Sequence, residues 1–410
     1  MDSHSIVSLG EPSRAHSTRD RLVGFFGLER NIVAVSAAMF LLALGENLWR
    51  RFIPRYLQAL GAPIVAIGLF GTIEDLLDGL YQYPGGWIAD RYGRRRALLS
   101  FIVLAAFGYA VYLAMNSWQL AFLALALVKA WDSMASPTLF AVVGDSLPRS
   151  MRTMGFTVQA VLRRVPIVIA PIVGGVMIAR FGVHTGVRSG LLISIVLACA
   201  TLLVVARINI PRIPQRVPTN ILGVWRQFPS PLRWLLLSDV FIRVCDAMVD
   251  VFLVIFAVTI VGIGPKGFGV AIAVQSLTSI LVYIPAARIA RYTGKKPFVV
   301  MTFVAFTLFP LAIVAAPSFG WLLAAFVVGG LREIGEPARK ALIIDLAEPE
   351  VRARVVGLYY LGRSVAIAPA AFIGGLLWKV SPVLPFYVAA AAGAIGVVMF
   401  VLTVREEDAG

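Results

Sequence analysis

The chain reads as an all-α polytopic membrane protein: twelve transmembrane helices arranged as two pseudo-symmetric halves of six. Three observations carry that reading. Apolar residues make up 59% of the 410 residues and charged residues only 14%, against about 45–50% and about 25% in soluble domains. The apolar residues fall in runs long enough to span a bilayer, which takes roughly 20 residues per helix. The second half of the chain also repeats the first at a fixed offset. A soluble globule, a disordered chain and a disulfide scaffold are excluded together.

Taken in order, residues 1–30 form the N-terminal tail; Met1 to Asp20 are polar, with no apolar core of a signal peptide, so the first span itself is expected to direct insertion. Apolar runs between turn and charge signals then place spans at about 31–58, 63–89, 97–115, 118–146, 152–180 and 187–206. These six form the N-terminal bundle, 31–206. Residues 207–234, rich in Arg and Pro, read as a cytoplasmic linker rather than a domain. The C-terminal bundle, 235–404, holds spans at about 235–261, 267–291, 297–316, 319–346, 352–379 and 384–404, and 405–410 is a short tail. Cys199 and Cys245 lie inside apolar runs and carry no redox signal.

Charge placement sets the orientation. Lys and Arg number 37 against 22 Asp and Glu, a net charge of +15. On a soluble chain that excess would point to nucleic acid. Here 22 of the 37 fall in the segments that share a side with the N-terminus, and seven in the opposite loops. The positive-inside rule then puts both termini in the cytoplasm, facing anionic lipid, with no nucleic-acid partner expected.

The repeat is specific. Residues 137–175 and 337–375 align without a gap and share ten identities. Among them are Pro137/Pro337, Asp145/Asp345, Arg152/Arg352, Arg163/Arg363, Gly174/Gly374 and Gly175/Gly375. Apolar composition alone does not align an Asp, two Arg and a Gly pair. Such parallel repeats are related by an axis along the membrane normal.

Between the second and third spans stands Gly86-Trp-Ile-Ala-Asp90-Arg91-Tyr-Gly93-Arg94-Arg95-Arg96. Gly86 permits close helix contact, Asp90 sits at a helix end, and Gly93 allows a tight turn. This run strongly resembles the loop signature of the major facilitator superfamily, G-x-x-x-D-R-x-G-R-R. A degenerate copy closes at Gly294-Lys295-Lys296, with Arg291 where Asp90 stood. Asp145-x6-Arg152 and Asp345-x6-Arg352 resemble the superfamily's acidic element, which pairs with the basic loop to hold the cytoplasmic gate. Ala170-Pro171-Ile-Val-Gly174-Gly175 resembles its antiporter element, G-P-x-x-G-G; a Gly-Gly packing face reads it equally well. The resemblance spans about 31–404 and implies the superfamily's two-bundle fold, with spans 1, 4, 7 and 10 around a central cavity.

Ionisable groups within spans cost about 2.5–3.5 kcal/mol each on insertion scales and by default mark function. At about 1.5 Å per residue, Glu46, Asp78, Asp132, Asp246, Arg332 and Arg363 lie roughly 16–22 Å from the cytoplasmic end, near the midplane. The resemblance makes Glu46, Asp132, Asp246, Asp250, Arg332, Glu333 and Glu336 cavity candidates. Glu333 and Glu336, three apart, share a face, as do Asp246 and Asp250, four apart. For any one acid a structural pair is as good a reading, with Arg332 beside Glu336 and Arg243 beside Asp246. Spans 2 and 11 meet between the halves in this fold, so matched depths suggest an Asp78–Arg363 pair that breaks during transport, Glu74 and Asp75 being alternative partners. Arg163, facing span 8, has no obvious acid nearby and is a candidate for an anionic substrate or for snorkelling.

No histidine lies in a span, so proton coupling would rest on carboxylates. No phosphate-binding loop of the G-x-x-x-x-G-K-[ST] kind is present, and no enzyme constellation stands out; no cofactor or metal is expected. The sequence favours a monomeric secondary transporter of a small organic solute in the cell inner membrane, exporting it against proton entry. An organic-anion symporter or exchanger is the alternative, and a non-transporting receptor or scaffold the third reading.

Overall fold

The computed structural model describes residues 30–135, 152–207, 228–346 and 352–404, and its described regular structure is all helical. The two expected tails, apart from Arg30, and most of the linker lie outside the described residues. α1 is broken into α1a (Arg30–Asn47) and α1b (Ile53–Ala59), joined through a short 3₁₀ turn, Arg50–Phe52. α2 (Ile64–Tyr92) and α3 (Arg94–Ala114) meet at Gly93, whose φ of 91° ends one helix and starts the next. Gly294, with the same φ, performs that turn between α8 (Pro265–Thr293) and α9 (Lys296–Val314). The tight-turn role expected of Gly93 is thus observed in both copies of the loop.

α4 runs Leu120–Lys129 and continues in a π turn, Ala130–Met134. α5 and α6 are two helices within Arg152–Ala206, divided at Gly182, whose φ of 79° and ψ of 166° are not helical. α7 is again broken, α7a at Ser230–Asp250 and α7b at Leu253–Thr259. It begins five residues earlier than the sequence suggests, because extended Pro229 caps it and Pro231 suits its first turn. α10 divides into α10a (Phe319–Leu331) and α10b (Glu336–Asp345) across four turn residues, and α11 into α11a (Arg352–Ile367) and α11b (Pro369–Val380). α12 is Leu384–Thr403.

Six described stretches are long and apolar enough to cross a membrane: Arg94–Ala114, Arg164–Ala206, Pro265–Tyr283, Lys296–Val314, Gly357–Val380 and Leu384–Thr403. α1, α2, α4, α7 and α10 fall outside that set; all five carry charged residues, and all but α2 are interrupted or irregular. On the outer surface Phe107, Val196, Leu203, Leu281 and Leu402 are all well exposed. A belt of this kind is stable in lipid and not in water.

The halves meet along two seams, α2 against α11b and α5 against α8. Both seams depend on the Gly-Gly pair found in the repeat. A Cβ on Gly174 would strike the Leu48 carbonyl of α1, and one on Gly374 the Met248 carbonyl of α7. Gly175 abuts Pro265 and Lys266 of α8, while Gly375 abuts Ile64 and Val65 of α2. Leu48 and Met248, like Val65 and Pro265, stand 200 residues apart, so the repeat extends to its contacts. Small residues at these points let backbones touch.

At the end remote from the termini α1b packs on α7b, Phe52 stacks edge-on against Phe268 at 5.7 Å, and Phe372 N donates to Thr72 Oγ1. That end is plugged.

Candidate functional site

Behind the plug lies a cavity of about 520 Å³ between the halves. Its N-terminal wall carries Glu46, Arg50, Arg51, Glu74, Asp75, Asp78, Lys129 and Asp132; its C-terminal wall carries Arg243, Asp246, Asp250 and Arg363. Trp131, Tyr112, Phe70 and Phe268 supply aromatic surface.

The N-terminal wall is built around two cations. Arg50, at the break in α1, reaches Glu46 (3.0 Å), Glu74 (2.8 Å) and Asp132 (3.2 Å). Lys129, almost fully buried, reaches Asp78 (2.8 Å), Glu74 (3.2 Å) and Asp132 (3.8 Å). Ser133, in the π turn, donates to Asp78 at 2.6 Å. π turns inside helices recur at functional sites because they re-aim side chains. Four carboxylates therefore share two cations, and Asp75 adds a fifth. Half-buried Asp75 forms no ion pair or hydrogen bond among the described residues.

The C-terminal wall has the opposite balance. Asp239, wholly buried, accepts from Arg339 (2.6 Å), Tyr359 (3.0 Å) and Arg363 (3.3 Å), with Arg243 at 3.8 Å. Glu336 is held by Arg339 at 2.8 Å and by Arg243. Two carboxylates here meet three guanidinium groups. Asp246 pairs with Arg332, whose guanidinium also stacks on Phe306 and Phe309 at 4.9 and 4.5 Å. Arg51 crosses between halves to Asp250 at 3.1 Å.

Of the residues expected from sequence, Glu46, Asp78, Asp132, Asp246, Asp250 and Arg363 line the cavity. Arg332 stands behind Asp246. Glu336 turns away into the buried Arg cluster, and Glu333 instead reaches Arg164 of α5 at 3.8 Å. The shared face expected of Glu333 and Glu336 is corrected by the break in α10, which re-aims Glu333 from within the turn. The expected neutralising partners are exchanged: Arg332 serves Asp246, and Arg243 serves Glu336. Asp78 and Arg363 do not pair in this structure; each is held within its own half, by Lys129 and Asp239.

In the loops, Arg91 stacks on Trp87 at 5.1 Å, Arg94 is buried, and Arg95 donates to the Ala206 carbonyl. Asp345 pairs with Lys295 of the degenerate basic loop, as the acidic element suggests. The surroundings of Gly86, the side chains of Asp90, Arg152, Arg163 and Arg352, and all of Asp145 lie outside the described residues. Pro171 abuts Gly269 of α8, so the antiporter-like run has an observed packing role.

Sequence reasoning passes over Arg50, Arg51, Lys129, Asp239 and Arg339. It counts Arg50 and Arg51 with the outer-segment charges although the 31–58 span contains them, since the break in α1 is invisible in hydropathy. The available signals are spacings: Glu46 to Arg50 and Asp239 to Arg243 at four residues, Lys129 to Asp132 at three.

Comparison with known proteins agrees with this architecture. The family model described as Major Facilitator Superfamily matches residues 35–244 and again 235–410. An uncharacterised MFS-type transporter of Methanocaldococcus jannaschii is 19% identical over 369 residues, covering 88% of this chain and 91% of that one. A Na(+), Li(+), K(+)/H(+) antiporter of Planococcus maritimus is 30% identical over 115 residues, 27% of each chain. Among solved structures, a point mutant of the nucleoside transporter NupG superposes with a TM-score of 0.78 at 12% identity, covering 91% of this chain and all of that one.

Proposed function

Because this chain belongs to the major facilitator superfamily and is a multi-pass membrane transporter rather than an enzyme, we propose that it exports a small organic solute against proton entry. The carrying observation is the N-terminal cavity wall, where four carboxylates share two cations and a fifth, Asp75, has no ion pair among the described residues. A buried carboxylate held by a cation can exchange that partner for a proton, and the wall has more carboxylates than cations to hold them. Glu46, held by Arg50 alone among the described ion pairs, is the proposed proton carrier, with Asp132 and Asp246 as further members.

The local match to a cation/proton antiporter supports exchange. The charge bias of the loops supports cytoplasmic termini, which makes the plugged end the outer one and the structure inward-facing. Asp345–Lys295 and the Gly93 loop are proposed to belong to the gate on the terminal side. The three guanidinium groups around Asp239 and Glu336 favour an organic anion symporter or exchanger as the second reading.

Purified protein in liposomes with an internal pH-sensitive dye tests the proposal. Solute-dependent proton movement that disappears in Glu46→Gln supports it. Solute flux with no proton movement in the wild-type protein overturns the coupling.

A further inference from the structure

We propose that the cavity takes a zwitterion, its ammonium end on Asp75 of the N-terminal half and its anionic end on Arg363 of the C-terminal half. The inference rests on the transport reading above and names its substrate class. Asp75 on α2 and Arg363 on α11a line the same cavity, and the two helices pack against each other. One turn beyond Asp75, Gly79 packs against Ser364, the neighbour of Arg363.

The charges around each end are committed elsewhere. Near Asp75, Glu74 and Asp78 hold Lys129, Glu74 also holds Arg50, and Asp250 holds Arg51. That leaves Asp75 as the cavity carboxylate with no partner among the described residues. On the opposite wall, Arg363 touches Asp239 at 3.3 Å through Nη1, but that carboxylate is already held by Arg339 and Tyr359 at shorter distances. The buried Nε of Arg363 donates to nothing among the described residues, and Tyr360 leaves its guanidinium a cation–π contact at 4.8 Å.

An unpaired carboxylate in a partly desolvated cavity calls for a cation, and a surplus guanidinium for a carboxylate or phosphate. A bare cation satisfies only the first and a bare anion only the second. One dipolar molecule satisfies both, and by bridging α2 to α11 it ties the halves together along the seam that must part. The repeat explains why the two ends differ in sign. Asp75 corresponds to Gln275, and Arg50 to Asp250, so the two walls are one scaffold with different charges.

The test uses matched probes on the purified full-length protein: 6-aminohexanoate, hexylamine and hexanoate, with the corresponding four-carbon set, in calorimetric titration. The expected result is binding of the amino acids at least tenfold tighter than of either partner. Asp75→Asn should then bring 6-aminohexanoate down to the level of hexanoate, Asp75→Glu should restore it, and Arg363→Gln should bring it down to the level of hexylamine. Equal or tighter binding of the amine, equal or tighter binding of the acid, or no binding of any probe overturns the inference. Flux of a non-zwitterionic solute in liposomes alongside such a result would leave the transport reading standing, so the two fail separately.

Discussion

Arg50 holds three carboxylates at once, one on its own helix and two from α2 and α4. Losing Glu46 leaves the guanidinium with two partners, so the wall stays assembled while the proposed proton carrier is gone. We predict that Glu46→Gln keeps solute counterflow within a few-fold of wild type and abolishes net proton-coupled flux, read in the dye-loaded liposomes. Asp239 behaves differently, because it is wholly buried and three guanidinium groups converge on it. Removing one partner of a buried ion cluster costs about 3–5 kcal/mol, so Asp239→Asn should lower the melting temperature in detergent sharply, where Glu46→Gln does not. At this scale the sequence shows which acids lie at the midplane. It does not show their partners, because Arg332–Asp246 and Arg243–Glu336 join residues 86 and 93 positions apart, and helical spacing reports only neighbours on one helix.

Three elements lining the cavity share a device with α10 behind them: α1, α7 and α10 are broken and α4 passes into a π turn, each beside charged residues. Hydropathy locates all four passes but not their interruptions, since a break of two to five residues leaves mean hydropathy almost unchanged. The Gly-Gly pair is legible as a packing face or an antiporter element. The structure supplies its partners, Leu48 and Met248 within the halves and the ends of α8 and α2 across them. Gly174→Val and Gly374→Val force a side chain into a backbone carbonyl, and overpacking of this kind costs about 1–3 kcal/mol. Both should lower thermal stability in detergent. Gly362→Ala, where an added Cβ meets open space, should leave the melting temperature unchanged or raise it, as alanine is favoured over glycine by up to about 1 kcal/mol in a helix.

Across the whole molecule, the twofold repeat is visible in ten identities and reappears in matched contacts 200 residues apart, which is why the fold is readable from sequence. The charge difference between the walls is not, because it arises where the repeats diverge: Arg50 against Asp250, Asp132 against Arg332. Symmetry builds two matched seams, and asymmetry gives the cavity between them its chemistry. The central claim is that solute passes by separation of the halves at the plugged end, where Arg51 meets Asp250. The most direct test replaces both residues with cysteine, with Cys199 and Cys245 changed to serine, and bridges the pair with a short bifunctional thiol reagent. The account predicts that flux in liposomes falls at least tenfold on bridging and returns when a cleavable bridge is reduced. Undiminished flux through the bridged protein would contradict it.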